Sequence, residues 1–394
     1  MLEYFLLCNM EVNEKTPTIV GVPMVRGKPR PISLGEYREA IYRNGSVSMY
    51  KVSIITSTFN KSNFLKHTLA GYCGQTFKDF ELVIVNDGSS DDTDNIVDQY
   101  EKRLAIQYCK QPNSGISLAR NNALRLAKGE VLILVDDDRI PGPEFIQSHL
   151  EKILDKPIVS VGHKVRIVSQ HDEDLSLDYT SYQKWLSERG IIGNQIAGQP
   201  ISEASIIERF SETINDLYQF DEHYNPREIL SVYGDNMSGY DYAWTRATGG
   251  NMAFNRSYIG DAKFDTSFKG YGFEDLDLSY QLFLKGYEFQ YNWKAVNYHQ
   301  EHRRGKKEKE NNQKNQEQFY KKFDHHIDIN LFELSYESVA DKDEIDLEKS
   351  TIEANQILQF YKSQSSNSLL EKMIRNQVET GRRYRAVRSV EVKV

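Results

Sequence analysis

Three consecutive carboxylates, Asp136, Asp137 and Asp138, follow the apolar run Val131–Val135. An unbroken Leu/Ile/Val run of this length is typical of a parallel strand that is covered on both faces. If the extended backbone continues, Asp136 and Asp138 point to the same side, and Asp137 turns away into a packing role. Two neighbouring carboxylates repel unless a cation separates them, and Mg2+ and Mn2+ prefer oxygen ligands. The pattern predicts a divalent-metal site; for these residues taken alone, a polar loop after a core strand is the alternative.

Two earlier strand-like runs, Lys51–Thr58 and Phe80–Asn86, alternate with helical segments along the chain. Strands that alternate with helices indicate parallel βαβ units with right-handed crossovers. The strand ends near Thr58, Asp87 and Asp136 therefore gather at one edge of one sheet, where ligands of open α/β sheets bind. We predict an α/β protein with a nucleotide at this edge.

Composition narrows the class of protein. The chain has 394 residues, of which 27% are charged and 39% hydrophobic, as in a soluble globular protein with more than one domain or subdomain. The formal net charge of −8 argues against a general nucleic-acid surface. No apolar run reaches the roughly 18 residues that span a bilayer, and the start Met1–Cys8 lacks the basic residues of a signal peptide. We therefore expect a cytoplasmic protein.

Seven segments occur in an order that resembles a known family. The first four are Val52–Thr58, Asn86–Asp91, Asn113–Asn122 and Val135–Asp138, and the later three are Gly250–Phe254, Gly272–Asp277 and Tyr298–Glu301. Together they resemble inverting GT-A glycosyltransferases of the family 2 type. The later three are similar to the galactosyltransferase-like region of bacterial chondroitin polymerase domains and β-1,4-galactosyltransferases. The resemblance covers about residues 51–305 and implies a Rossmann-like, mostly parallel sheet flanked by helices.

The resemblance implies a domain organisation. Residues 51–160 match the nucleotide-sugar-binding half of a GT-A domain, and residues 161–305 match the acceptor-binding and catalytic half. Three segments fall outside the family pattern: an N-terminal extension at 1–50, an acceptor-side insertion at about 170–245, and a charged, mostly solvated linker with a helical tail at 306–394.

The resemblance also implies a metal site. Asp136 and Asp138 match the family's Asp-x-Asp, which holds a divalent metal on the diphosphate of the sugar nucleotide. His299 matches a later metal-binding position, and an imidazole beside two carboxylates fits Mn2+ better than Mg2+. His302 lies close enough in sequence to compete with His299. Either histidine is alternatively a surface residue before a charged loop.

Several residues match nucleotide-pocket positions of the family. Asp87 matches the carboxylate that contacts the uracil or its ribose, and a carboxylate accepts from uracil N3–H. The alternative for Asp87 is a turn residue in Asn-Asp-Gly. Thr58 and Asp91 match lesser positions in the same pocket. Arg120 either pairs with a phosphate or lies near Asp87.

Asp275 is the predicted general base, matched from the Glu-Asp-x-Asp pattern of the galactosyltransferase-like region. An acceptor hydroxyl must lose its proton as it attacks the anomeric carbon, and a single carboxylate suffices for an inverting displacement. Glu274 is expected to contact donor or acceptor hydroxyls. The alternative is that both acids only cap a helix. Tyr271 and Phe273 depart from the family, where a Trp and a second Gly are common, so the donor sugar stays open.

The sequence thus predicts a metal-dependent transferase that moves a hexose or N-acetylhexosamine from a UDP-sugar to a saccharide, in surface polysaccharide synthesis. A peptide or protein acceptor is the first alternative, because the insertion matches no family segment. The second alternative is a non-catalytic sugar-nucleotide-binding protein. A nucleotidyltransferase is disfavoured, because this sequence lacks the Gly-rich signature that such an enzyme would need. The basic end Arg382–Arg388 predicts a peripheral contact with an acidic membrane surface.

Overall fold

A computed structural model describes most of the chain from residue 51 onward. The described residues are 51–153, 157–169, 184, 187–188, 201–221, 225–302, 306–338, 344–364 and 368–391. The predicted extension at 1–50 and most of residues 170–200 of the predicted insertion, Trp185 included, lie outside them.

The first half of the sheet contains four parallel strands in the order β3–β2–β1–β4. Their bounds are β1 Val52–Thr58, β2 Phe80–Asn86, β3 Ile106–Lys110 and β4 Val131–Leu134. Helices α1 (Ser62–Cys73), α2 (Thr93–Tyr100) and α3 (Ile116–Leu126) connect them. Every residue of β2 and β4 is buried, as expected for strands covered on both faces. The predicted Rossmann-like βαβ arrangement is confirmed.

The second half adds antiparallel pairings to the same sheet. Its strands are β5 Arg139–Pro141, β6 Ile158–Ile167, β7 Gln219–Asp221, β8 Met252–Asn255 and β9 Glu288–Gln300. From β4 the order continues β8–β6–β9–β5, and β7 pairs with β6. The β4–β8 pair is antiparallel, whereas β6 and β9 are parallel. Strand β6 runs through residue 160, where the two halves were predicted to divide, and the strands of both halves belong to one sheet.

The second half also supplies helices and a buried aromatic cluster. The helices are α4 Phe145–Lys152, α5 Glu203–Glu208, α6 Phe210–Asn215, α7 Arg227–Tyr233 and α8 Glu274–Leu284. Tyr240, Tyr242 and Trp244, from the predicted insertion, are buried in one of the two hydrophobic cores. This part of the insertion is therefore structural.

Four helices follow β9. They are α9 Lys306–Lys322, α10 Ile327–Ser338, α11 Glu344–Ser363 and α12 Ser368–Glu391. The charge pattern predicts that residues 306–322 are mostly solvated, but Phe319 and Tyr320 are buried in the core that contains Trp244. A strongly charged helix still buries an aromatic stripe, because only one of its faces has to be apolar. Among the described helices, none is long and apolar enough to cross a membrane.

Candidate active site

The three aspartates lie in the turn between β4 and β5. Strand β4 ends at Leu134, so the alternation that predicts Asp136 and Asp138 on one side does not continue to them. Asp136 Oδ1 accepts from Arg120 Nη2 at 2.7 Å, and Asp136 Oδ2 lies 3.4 Å from Arg139 Nε. Asp138 has different neighbours. The two carboxylates therefore occupy two distinct electrostatic environments.

Asp138 lies in a cluster with two imidazoles. Strand β5 pairs with β9 so that Arg139 stands opposite His299, which brings His299 beside Asp138. His299 Nε2 is 3.7 Å from Asp138 Oδ2, and His302 Nε2 is 3.0 Å from the same oxygen. One ligand atom from each of the three residues lies within 4.8 Å of the others. This cluster contains both competing histidines but not Asp136.

The donor set fits a divalent cation. Asp138 and His299 are buried, and Asp138 Oδ1 and His299 Nδ1 are buried atoms without a hydrogen-bond partner. Buried polar atoms normally have partners, so orphaned ones at a clustered site favour a ligand that is yet to bind. One carboxylate and two imidazoles suit Mn2+ better than Mg2+.

Lys61 is a member of the site that the sequence interpretation missed. Its Nζ lies 2.5 Å from Asp138 Oδ2, 2.9 Å from His302 Nε2 and 3.8 Å from Asp137 Oδ1. Burial lowers the pKa of Lys61, but the Asp138 and Asp137 charges outweigh it and hold that pKa above its usual value. The available signal was position: Lys61 follows β1 at the sheet edge where the aspartates lie.

Asp87 lies at the same edge, after β2, and is buried. Its Oδ1 accepts from Gln111 Nε2 at 2.7 Å and from Ser114 N at 2.8 Å, while Oδ2 accepts from Gly115 N at 2.8 Å. These bonds fix the loop that leads into α3. Thr58, at the end of the neighbouring strand β1, is also buried.

Asp91 binds protein groups at the start of two helices. Its Oδ2 accepts from Ser62 N of α1 at 2.9 Å, and its Oδ1 accepts from Thr93 N of α2 at 3.2 Å. Burial raises the pKa of Asp91, but the hydrogen bonds from Thr93 and Ser62 outweigh this and lower it below its usual value. In this arrangement Asp91 links α1 to α2 behind the sheet edge.

Arg120 connects the two halves of the site. While Nη2 binds Asp136, Nη1 lies 3.1 Å from Glu274 Oε1, and the guanidinium carbon lies 5.2 Å from the centre of the Phe264 ring. Arg120 and Glu274 are both buried. The end of β4 and the start of α8 are therefore held together by one cation between two carboxylates.

Glu274 and Asp275 open α8 but differ in exposure. Glu274 is buried, and its Oε2 accepts from Gly272 N at 2.8 Å. Burial, followed by the charge of Asp275, raises the pKa of Glu274 to about 7. Asp275 is partly exposed and accepts from Gly249 N at 3.1 Å and Leu276 N at 2.8 Å. Of the two acids, Asp275 is the one that an outside hydroxyl can reach.

The Gly250–Phe254 motif packs against the aspartate turn. A Cβ on Gly250 would lie 2.4 Å from Arg139 Nε and 2.9 Å from Asp136 Oδ2, so only glycine fits without displacing those groups. The next residue, Asn251, accepts from His149 Nε2 at 2.9 Å and donates to the backbone carbonyls of His163 and Ala295, each at 3.0 Å. The motif therefore positions strand β8 beside the aspartate turn.

The predicted site residues fall into two neighbouring groups. Asp138, His299 and His302 form a carboxylate and imidazole cluster that suits a divalent cation, and the Lys61 ammonium contacts the Asp138 carboxylate of that cluster. Glu274 and Asp275 form a second group, joined to the aspartate turn through Arg120. Such an arrangement can place a metal-bound anionic group beside a carboxylate that accepts a proton.

The chain is similar to glycosyltransferases and to polysaccharide synthases. Residues 53–210 match the family described as Glycosyl transferase family 2. The chain is 31% identical to a chondroitin synthase from Escherichia coli over 261 residues, which is 64% of this chain and 34% of that protein. It is also 31% identical to a hyaluronan synthase from Pasteurella multocida over 259 residues, 64% of this chain and 24% of that protein. The chain thus spans a quarter to a third of the length of these relatives.

Among solved structures, the chain is similar to the mannosyltransferase PcManGT from Pyrobaculum calidifontis, whose structure is in complex with GDP-Man and Mn2+. The TM-score is 0.41 and the identity 18%, over 69% of this chain and 65% of that one. Residues 53–210 therefore match a domain of glycosyltransferase family 2, and they contain the parallel half of the sheet.

Proposed function

We propose that the chain is an inverting, metal-dependent glycosyltransferase that moves a hexose or N-acetylhexosamine from a UDP-sugar to a saccharide acceptor. The observation that carries the proposal is the pairing of two groups at one sheet edge. A candidate cation site of Asp138, His299 and His302 lies on one side. The partly exposed Asp275 lies on the other, next to Glu274, which Arg120 links to Asp136.

Asp138, His299 and His302 would hold Mn2+ or Mg2+, and their two imidazoles favour Mn2+. When bound, the ion supplies Lewis acidity that neutralises charge on a departing diphosphate. Asp136, whose carboxylate is fixed by Arg120, lies beside this cluster and is proposed to contact the donor nucleotide.

Asp87 is proposed to recognise the uracil. A carboxylate offers about four lone-pair sites, and three of those of Asp87 accept from the 111–115 loop, so one is left for a donor such as uracil N3–H. The buried Thr58 hydroxyl is proposed as a further polar group at the same edge. Asp91 is proposed to hold the starts of α1 and α2 in place and not to contact the nucleotide.

Asp275 is proposed as the general base. The acceptor hydroxyl gives its proton to the Asp275 carboxylate while its oxygen attacks the anomeric carbon, and the bond from that carbon to the UDP oxygen breaks. Attack from the face opposite the leaving group inverts the carbon. Glu274, held by Arg120 and Gly272 N, is proposed to fix the backbone of this turn and to offer an oxygen to sugar hydroxyls.

A saccharide acceptor is supported by the relatives' names, chondroitin synthase and hyaluronan synthase, since both products are polysaccharides. We accordingly propose a role in surface polysaccharide synthesis. Peripheral membrane contact through the arginine-rich end stays a prediction: α12 extends over it as far as Glu391. Pelleting with acidic liposomes that is unchanged after deletion of residues 382–394 would contradict that prediction.

A donor screen tests the proposal. Purified protein is incubated with UDP-glucose, UDP-galactose and their N-acetylamino forms, with Mn2+ or with excess chelator, and released UDP is measured. We expect one or two donors to be hydrolysed with Mn2+ only. Donor hydrolysis that is equally fast in chelator contradicts the metal role. If no donor releases UDP and the protein does not bind UDP, the proposed donor class is wrong.

A further inference from the structure

The turn before α8 has an unusual backbone. Gly270, Gly272 and Phe273 have φ angles of 69°, 105° and 65°, all in the left-handed region. Phe273 carries a side chain that disfavours this conformation, so surrounding contacts must hold it there. Because Glu274 and Asp275 follow directly, whatever holds Phe273 also determines where the two acids lie.

Helix α9, outside the matched family region, holds the turn through Asn315. The buried Asn315 side chain donates from Nδ2 to the carbonyls of Lys269 at 3.1 Å and Gly272 at 2.8 Å, and its Oδ1 accepts from Lys269 N at 3.3 Å. One side chain thus binds both ends of the turn. A Cβ on Gly272 would lie 2.2 Å from Asn312 Oδ1 of the same helix, which shows how closely the helix approaches.

Phe273 itself inserts between α9 and α10. Its ring centre is 5.6 Å from that of Phe319, 6.1 Å from that of Tyr320 and 6.5 Å from that of Tyr336. Phe273 is 5% exposed. Burial of an aromatic ring among three others opposes the backbone cost of its left-handed conformation.

Lys322, two helical turns after Asn315, holds the first turn of α8. Its Nζ lies 2.6 Å from Asp277 Oδ1 and 2.7 Å from Asp265 Oδ2. Residues seven positions apart lie on one face of a helix, so Asn315 and Lys322 present a single surface to the turn. Asp277 is fully buried, and its charge therefore depends on this lysine.

We infer that α9 is a brace that sets the position of the proposed base, with Asn315 and Lys322 as positioning residues. This inference rests on the proposed role of Asp275. Among the described residues, the polar contacts of Asn315 and Lys322 lie at the turn and at α8 and do not include Asp138 or His299. Loosening these two contacts should therefore misplace the base and leave nucleotide and metal binding intact.

The test compares Asn315→Leu with Asn330→Leu. Asn330 is a matched control, because it is an equally buried asparagine on α10 whose Nδ2 donates to the carbonyls of Asp324 and His326, both at 2.7 Å. Both variants should lower the thermal midpoint. Well below those midpoints, only Asn315→Leu should lower kcat, by about 10²-fold, since a small misplacement of a catalytic group costs that much. Its donor KM and its Mn2+ and UDP affinities should stay within about twofold.

Lys322→Met and Lys322→Arg provide a second comparison if Asn315→Leu fails to fold. The arginine keeps the charge that Asp277 needs and should restore most of the kcat that the methionine loses. Equal kcat losses in Asn315→Leu and Asn330→Leu, or wild-type kcat in both Asn315→Leu and Lys322→Met, overturn the inference. Asp275→Asn tells a failure of the proposed base from a failure of the brace. If Asp275→Asn transfers sugar at the wild-type rate, the proposed base is wrong. If Asp275→Asn is inactive while Asn315→Leu and Lys322→Met are both fully active, only the brace is wrong.

Discussion

Arg120 Nη1 lies 3.1 Å from Glu274 Oε1, although 154 positions separate the two residues in the chain. The same guanidinium binds Asp136 at 2.7 Å. Burial lowers the pKa of Arg120, but the charges of Asp136 and Glu274 outweigh this and raise it above its usual value, so the group stays cationic. The contact makes the aspartate turn and the α8 acids parts of one electrostatic unit.

Arg120→Met should therefore destabilise the fold. Removing the cation leaves Glu274 buried without its partner, and breaking a buried pair in this way costs about 3–5 kcal/mol. Urea unfolding at pH 8, above the pKa of about 7 that burial gives Glu274, measures the loss. Arg120→Met/Glu274→Gln should recover part of it at that pH, because the glutamine carries no charge. Arg383→Met, which removes an exposed pair with Glu379 on α12, is the control and should leave the urea midpoint almost unchanged.

Asp275→Asn should lower sugar transfer by about 10²-fold or more, because an amide cannot accept the acceptor's proton. UDP binding, measured by calorimetry, should be retained, because the substitution removes a proton acceptor and leaves Asp87 and the cation cluster unchanged. The amide oxygen can still accept from Gly249 N and Leu276 N, so the thermal midpoint should change little. Wild-type turnover would exclude Asp275 as the base.

His299→Ala and His302→Ala should each weaken Mn2+ binding by at least about tenfold, because each removes one imidazole from the donor set. Calorimetric titration with MnCl2 measures this without a substrate. His325→Ala, at an exposed histidine, is the control and should bind Mn2+ as the wild type does. If only one of the two site variants changes the affinity, that histidine alone is the ligand; if neither does, the site is wrong.

His149 should make stability depend on pH. Burial lowers its pKa from 6.5 to about 4, partly opposed by the hydrogen bond to Asn251. Between these values the unfolded chain binds a proton and the folded protein does not, so stability falls as pH falls through this window. The loss is about 3 kcal/mol by linkage. It should be missing from His149→Gln when urea unfolding of both proteins is compared from pH 7 to pH 4; parallel curves would contradict the assignment.

The sequence was enough to locate the strands and the acids at their ends. Short apolar runs such as Val131–Leu134 are typical of strands that are covered on both faces, and their alternation with helices predicts that those strands are parallel. Asp87, Asp136 and Asp138 could be assigned to one edge on that basis. Motif order then indicated the family and singled out Glu274 and Asp275 at a helix start.

Tertiary structure decided which side chains meet. Nothing local to Lys61 reveals that its ammonium reaches Asp138 and His302, because that contact depends on the β5–β9 register. The strand period could not be extended to Asp136, since β4 stops two residues earlier. Likewise the aromatic face of residues 306–322 that packs on Phe273 could not be predicted from the high charge of this segment, because average polarity does not reveal a narrow buried stripe. Local pattern fixes elements, whereas side-chain partners depend on how distant elements pack.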